Sequence, residues 1–337
     1  MIHIRADGNA RIGTGHVMRC LSVAQALREQ GTPCRLVAAD QEPRPLVERA
    51  GFALEALGSD WRDLPGELPA LFALLDADPD PVVLVDSYQI TGAYLRGLKN
   101  RAKVAVLDDL DLVDAPVDLL VNYNVYAGEL GYRERFHGVR LFLGCRYAPL
   151  RPQFVSPPPF TVRPAARDIL LTTGGTDPHG ATVALLQACV DKRRRFHVVA
   201  GRYSPHRERL RQLEAAGRNI RVHEDVSDMA ALMTRCDLAV SAAGTTLYEL
   251  CACGVPAICY VLADNQLRAA RCFRDRGIMR CAGDIRDGIP AWTRAVLDQL
   301  DQLVQLDAGA RAAMSRAARN LVDGGGAQRL AAALAEM

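Results

Sequence analysis

The chain is 337 residues long, 49% hydrophobic and 24% charged, with a formal net charge of +2. That length accommodates two domains, and the composition is that of a soluble globular protein. So small a net charge gives no electrostatic footprint for nucleic acid or an acidic membrane. No apolar run approaches the roughly 20 residues that span a bilayer, and an opening strand leaves no room for a signal peptide.

Taken in chain order, residues 1–6 alternate like a strand, and Asp7 to His16 form a glycine-rich turn. Val17, Cys20, Leu21, Ala24 and Leu27 then recur at helical spacing until Gly31-Thr32-Pro33. Strand is expected at 34–39, helix at 43–50 and a short strand at 52–54. The stretch 58–69 reads as irregular and 68–76 as helix. A buried strand at 81–88 ends in Asp86, Ser87 and Tyr88. Helix follows at 92–99, then continuous apolar strands at 104–109, 119–122 and 141–144, of the kind parallel sheets bury on both faces. Strands alternating with helices define a doubly wound α/β domain over 1–150.

The segment 151–164 is proline-dense, cannot be helix or interior strand, and reads as a linker. A second α/β domain is expected over 165–337. Its strands fall at 168–173, 196–200, 220–223, 238–241 and 257–262, and its helices at 181–189, 228–234, 247–253 and 267–276. Gly254, with Pro256 just beyond, stops one of these helices. The remainder reads as mostly helical, with a final segment, 328–337, packing back across the domains.

Ten cysteines include no C-x-x-C pair, and Cys251-Ala252-Cys253 would splay its thiols around a helix. Buried thiols in a reducing cytoplasm are expected.

Two glycine-rich constellations carry chemistry. In the first, Gly8, Gly13 and Gly15 let the backbone turn sharply toward a ligand. The helix that follows directs N–H groups and a positive dipole end into the turn. His16, in its first turn, is a candidate acid or base. In open α/β sheets, ligands lie beyond the carboxyl ends of strands, so Asp86, Ser87 and Tyr88 stand where they can assist His16. Helix capping by Asp86 or Ser87 and edge packing by Tyr88 fit the same residues.

The second constellation is Ser241-Ala242-Ala243-Gly244-Thr245-Thr246-Leu247-Tyr248-Glu249-Leu250. Backbone N–H groups and hydroxyls at a helix start suit phosphate oxygens, and a carboxylate one turn in suits ribose hydroxyls. Thr245 reads equally as a helix N-cap. Gly174-Gly175 opens a further loop on the same edge.

The pattern from Ser241 through Pro256, followed by Asn265-Gln266, resembles the UDP-binding half of the peptidoglycan UDP-N-acetylglucosamine transferase and its two-domain (GT-B) relatives. The segment Arg5-Ala6-Asp7-Gly8-Asn9 through Gly13-Thr14-Gly15-His16-Val17-Met18-Arg19-Cys20 resembles, more narrowly, the PseG family. Members of that family hydrolyse UDP-2,4-diacetamido-2,4,6-trideoxy-β-L-altropyranose in pseudaminic acid synthesis. The resemblance implies an α/β GT-B fold, two Rossmann-like domains with parallel sheets facing across a cleft.

It further implies release of UDP by inverting attack of water at the anomeric carbon. His16 would be the general base and Tyr88 a supporting polar contact. Gly13, Thr14, Gly15, Gly174, Gly175, Gly244, Thr245, Thr246, Glu249, Asn265 and Gln266 would contact the substrate. No metal or cofactor is implied. The partner expected is a small-molecule UDP-sugar, with no nucleic acid and no stable membrane association, on a cytoplasmic monomer or weak homo-oligomer. An inverting transferase using the same donor, or a non-catalytic nucleotide-sugar sensor, would share much of this pattern. A transferase would add an acceptor hydroxyl in place of water.

Overall fold

A computed structural model describes residues 1–9, 11–189, 193–201, 204–217 and 219–337. Ala10 of the first turn lies outside the described residues. The chain divides into two compact units, Met1–Pro152 with Gly324–Met337, and Gln153–Asp323.

The first unit is built on seven parallel strands. They are β1 (Ile2–Ala6), β2 (Cys34–Ala38), β3 (Leu54–Ala56), β4 (Val82–Asp86), β5 (Lys103–Leu107), β6 (Leu119–Asn122) and β7 (Arg140–Leu143). Their order is β3-β2-β1-β4-β5-β6-β7. The chain winds from β1 to one side and from β4 to the other, so the topological switch point falls between β1 and β4. Val83, Leu84, Val85, Val104, Ala105 and Val106 are fully buried, as continuous apolar strands covered on both faces must be. The helices are α1 (Gly15–Glu29), α2 (Arg44–Arg49), α3 (Leu64–Leu75), α4 (Gly92–Lys99) and the short α5 (Tyr132–Arg135).

Helix α3 starts four residues earlier than the sequence suggested. Asp63 caps it by accepting from Gly66 N, and a proline sits at the tolerated first-turn position. Pro69, which made the region look irregular, lies inside the helix. The earlier start carries Glu67 to the core. There Arg5 Nε and Nη2 donate to its two oxygens at 2.7 and 2.6 Å, and Tyr94 Oη donates at 2.8 Å. Arg5 also pairs with Asp7 at 2.7 Å, and Asp7 accepts from Ala39 N at 2.9 Å. The start of the first glycine-rich turn is thereby tied to β1, α3 and the end of β2.

The second unit has six parallel strands, β8 (Asp168–Thr172), β9 (Arg195–Ala200), β10 (Ile220–Glu224), β11 (Leu238–Ala242), β12 (Ala257–Val261) and β13 (Arg280–Asp284). The order is β10-β9-β8-β11-β12-β13, with the switch point between β8 and β11. The sequence reading placed helix where β13 lies; Arg280-Cys281-Ala282-Gly283-Asp284 is too polar and glycine-bearing to announce a strand. The unit's helices are α6 (Ala181–Ala188), α7 (Arg207–Ala216), α8 (Met229–Arg235), α9 (Thr246–Cys253), α10 (Asp264–Asp275), α11 (Ile289–Gln305) and α12 (Ala308–Leu321). Helix α7, very polar in sequence, was not foreseen; Leu210 is its buried residue. Helix α10 begins at Asp264, so Asn265 and Gln266 lie in its first turn and not in a preceding loop.

The last helix, α13 (Gly326–Ala335), belongs to the first unit and packs on α1. A Cβ on Gly326 would collide with the Ala148 carbonyl, so glycine permits the close approach. Arg329 donates to Arg146 O at 2.7 Å, and Arg140 pairs with Glu336 at 2.8 Å.

The two parallel-sheet α/β domains constitute a GT-B fold. Among the described residues, no helix is long and apolar enough to cross a membrane, and none of the ten cysteines is joined in a disulfide.

Candidate active site

At the first unit's switch point, the turn after β1 is braced by its own residues. Asn9 Oδ1 accepts from Arg11 N and Ile12 N at 2.9 and 3.0 Å, and Asn9 N donates to Gly13 O at 3.1 Å. Gly13 has φ +74°, a conformation costly for a residue with a Cβ. Thr14 occupies the N-cap of α1 without a side-chain cap bond, and Gly15 opens the helix.

His16 is buried and faces the end of β4, where Asp86 Oδ1 lies 2.7 Å from its Nδ1. Arg19, one helical turn on, lies on the same face. It grips Asp86 through Nε and Nη2. Its Nη1 donates to Asp109 Oδ2 at 2.7 Å and to Tyr123 Oη at 2.6 Å. The exposed Tyr88 stands edge-on to the His16 ring, centroids 4.4 Å apart, and donates to Asp109 Oδ2 at 3.3 Å.

The network fixes protons. Burial alone would raise the Asp86 carboxyl, but the Arg19 charge, with His16, overcomes it and holds the group well below the usual carboxylate range. Asp86 is therefore acceptor only. Arg19 Nη2 also lies 3.0 Å from His16 Nδ1, but a guanidinium can only donate and already serves Asp86. Nδ1 thus carries the proton toward Asp86, leaving Nε2 as the acceptor nitrogen. Opposing burial, Asp109 and Asp86 keep Arg19 charged far above its ordinary value.

At the second unit's switch point, the loops after β8, β11 and β12 emerge side by side, since Ser241 pairs with Thr172 and with Cys259. Gly174, at φ +81°, and Gly175 are exposed. A Cβ on Gly201 would collide with both their carbonyl oxygens, so the end of β9 packs directly on this loop. Asp177, at φ +57°, caps α6 through Ala181 N at 2.8 Å and Thr182 N at 3.2 Å.

Gly244 is half-buried and Thr245 exposed. Thr245 holds the N-cap position of α9 but makes no side-chain cap bond. Thr246 and Glu249 are half-buried in the first turn of that helix. Gln266 Oε1 accepts from Leu262 N at 2.9 Å, and its Nε2 lies 3.9 Å from where a Gly244 Cβ would stand. Gln266 therefore sits beside the Gly244 turn, whereas Asn265 is exposed at the start of α10.

His16 and Tyr88 are thus brought together in the first unit, and Gly244 and Gln266 in the second. The sequence reading did not single out Arg19, Asp109 or Tyr123. Arg19 was signalled by its i+3 spacing from His16, and Asp109 by its place after an apolar strand. Tyr123 carried no signal.

A family model described as a protein of unknown function (DUF354) matches residues 179–317. The chain is 26% identical over 353 aligned residues to the spore coat polysaccharide biosynthesis protein SpsG of Bacillus subtilis, covering 100% of this chain and 98% of that protein. It is 23% identical to the UDP-2,4-diacetamido-2,4,6-trideoxy-β-L-altropyranose hydrolase of Campylobacter jejuni, covering 81% of this chain and 96% of the hydrolase. Among solved structures, MurG of Acinetobacter baumannii is similar with a TM-score of 0.69 at 17% identity, covering 100% of this chain and 99% of MurG.

Proposed function

We propose that this protein is a nucleotide-sugar enzyme that releases UDP from a UDP-activated 2,4-diacetamido-2,4,6-trideoxy sugar. Water attacks the anomeric carbon with inversion, and the C–O bond to the diphosphate breaks. The reading rests chiefly on the fixed imidazole of His16, with Nδ1 2.7 Å from an ionised, buried Asp86. The similarity to a hydrolase of that substrate class supports it.

In this mechanism His16 Nε2 takes the proton of the attacking water, and Asp86 stabilises the imidazolium that results. Tyr88 lies against the His16 ring and offers a hydroxyl near the reacting sugar. The diphosphate is a good leaving group and needs little protonation. Backbone N–H groups and hydroxyls of Gly244, Thr245 and Thr246, with the Gly174-Gly175 loop, receive its charge. Glu249 holds the ribose hydroxyls, and Asn265 and Gln266 contact the substrate. Gly13, Thr14 and Gly15 admit the substrate beside His16.

A second reading, transfer of the sugar to an acceptor hydroxyl, is favoured by the full-length fold likeness to MurG. Incubating the purified protein with a panel of UDP-6-deoxy-diacetamido sugars and no acceptor separates the two. Hydrolysis releases UDP at the full rate, and ¹⁸O-water labels the sugar's anomeric hydroxyl. No release until an acceptor is added would establish transfer instead, and no release with or without one would leave a non-catalytic sensor. Label in the phosphate would mean attack at phosphorus and would defeat both.

A further inference from the structure

In the second unit, β12 and β13 run parallel with Cys259 directly opposite Cys281. Neighbouring strands lie about 4.8 Å apart, inside the roughly 4.4–6.8 Å between Cα atoms that a disulfide spans. Cys259 is fully buried and Cys281 half-buried. The ladder becomes irregular just past this pair, where Gly283 has φ +81°. Being half-buried, Cys281 is the sulfur of the pair that small molecules in solution reach, and Arg274 adds positive charge nearby.

We propose that Cys281 and Cys259 form an oxidisable dithiol, a modification site for small hydroperoxides, with Cys281 the attacking sulfur and Cys259 the resolving one. The physical basis is a half-buried sulfur held directly opposite a second, fully buried thiol by the strand register. The Cys259 hydrogen bond, with Gly283 N–H and Arg274, brings the Cys281 thiol down to about 6 against the opposing effect of burial. The same hydrogen bond and its burial push Cys259 up. Burial keeps the proton on Cys259, the sulfur that gives it up last, while the half-buried Cys281 is the one that ionises more readily.

The chemistry balances. The Cys281 thiolate attacks one peroxide oxygen, forming S–O as O–O breaks, and the departing oxygen takes a proton from water. The Cys259 sulfur then attacks the sulfenic acid, S–S forms as S–O breaks, and water leaves with the Cys259 proton. Two electrons pass from the dithiol to the peroxide. The bond would tie β13 to β12 shortly before the segment that carries Gln266.

The test uses the intact chain with hydrogen peroxide and, separately, iodoacetamide. Peroxide should give peptides linked through Cys259 and Cys281, with the loss of two hydrogens in mass, reversed by dithiothreitol. Nucleophilicity falls along with thiol pKa, at a Brønsted slope of about 0.4–0.5, so the pH midpoint of alkylation is a better readout than its rate. That midpoint should lie near 6 for Cys281. In Cys259→Ser, Cys281 should stop at the sulfenic acid and be captured by dimedone. A Cys281 midpoint at the ordinary thiol value of about 8.5 overturns the assignment. So does peroxide-treated protein without the 259–281 link. Both decisive readings are made on the unaltered chain.

Discussion

The two switch points are built from opposite materials. Between β1 and β4 the first unit places side chains, with His16, Arg19 and Asp86 buried and locked to one another. Between β8 and β11 the second unit places backbone, as exposed glycines and helix starts beside Gln266 and Glu249. The first arrangement suits proton transfer, where one nitrogen must face one way. The second suits a diphosphate, whose charge is spread over many oxygens that several weak donors can share. The contrast predicts that single substitutions do far more damage in the first unit than in the second.

The largest effect is expected on the His16 side. His16→Asn should lower UDP release by on the order of 10²–10⁴, or about 3–5 kcal/mol of barrier, with UDP affinity and thermal stability near wild type. Turnover and melting are measured on the same sample. Near-normal turnover eliminates the base, and a lost fold would make His16 structural.

Asp86→Asn comes next and tests stability. It leaves the buried Arg19 guanidinium without its bidentate partner. Breaking a buried pair costs about 3–5 kcal/mol, and the lower end is expected because Asp109 still holds Arg19. The pH dependence follows from the depressed Asp86 carboxyl. Its contribution is fully present above the unfolded carboxylate value of about 3.9 and is lost as pH falls through the folded value. The gap between wild type and Asp86→Asn in urea should therefore be constant near neutrality and close below pH ~4. A gap that persists unchanged into acid would mean that the pair with Arg19 is not its source.

In the second unit, Glu249→Ala should weaken UDP binding by about 1–3 kcal/mol, by leaving ribose hydroxyls unmatched. Calorimetry with unchanged UDP affinity would remove Glu249 from the nucleotide site.

The same contrast explains what could be read from the sequence. Continuous apolar runs such as Val82–Asp86 and the spacing in α1 made the sheet order's raw material visible, and the glycines marked the turns. The buried network was harder to see because it joins residues remote in sequence. Arg19 reaches Asp86, Asp109 and Tyr123, and no local pattern reports such convergence. Glu67 was missed for a related reason, because Pro69 masked a helix whose start was set by the Asp63 cap. Helix α7 and strand β13 were missed because each is too polar for its period to show. Asn265 and Gln266 were recognised as a pair, yet only the early start of α10 separates them, one beside Gly244 and one at the exposed helix start.

The smallest effect tests whether the second unit's donors are backbone or side chain. Thr245 sits at the N-cap of α9 with its hydroxyl making no cap bond. By contrast, Asp228 at the N-cap of α8 accepts from Ala231 N at 2.9 Å. Removing a working cap costs typically about 1 kcal/mol of stability, so Asp228→Ala should show that loss and Thr245→Ala should not. For UDP the order reverses. Thr245→Ala removes one neutral hydrogen bond, worth about 0.5–1.5 kcal/mol, while the helix-start N–H groups remain, so affinity should fall at most several-fold. Asp228→Ala should leave UDP binding unchanged. If Thr245→Ala instead loses about 1 kcal/mol of stability with UDP affinity intact, its hydroxyl is a cap in solution. A loss of UDP affinity as large as that expected for Glu249→Ala would make the hydroxyl, and not the backbone, the principal phosphate donor.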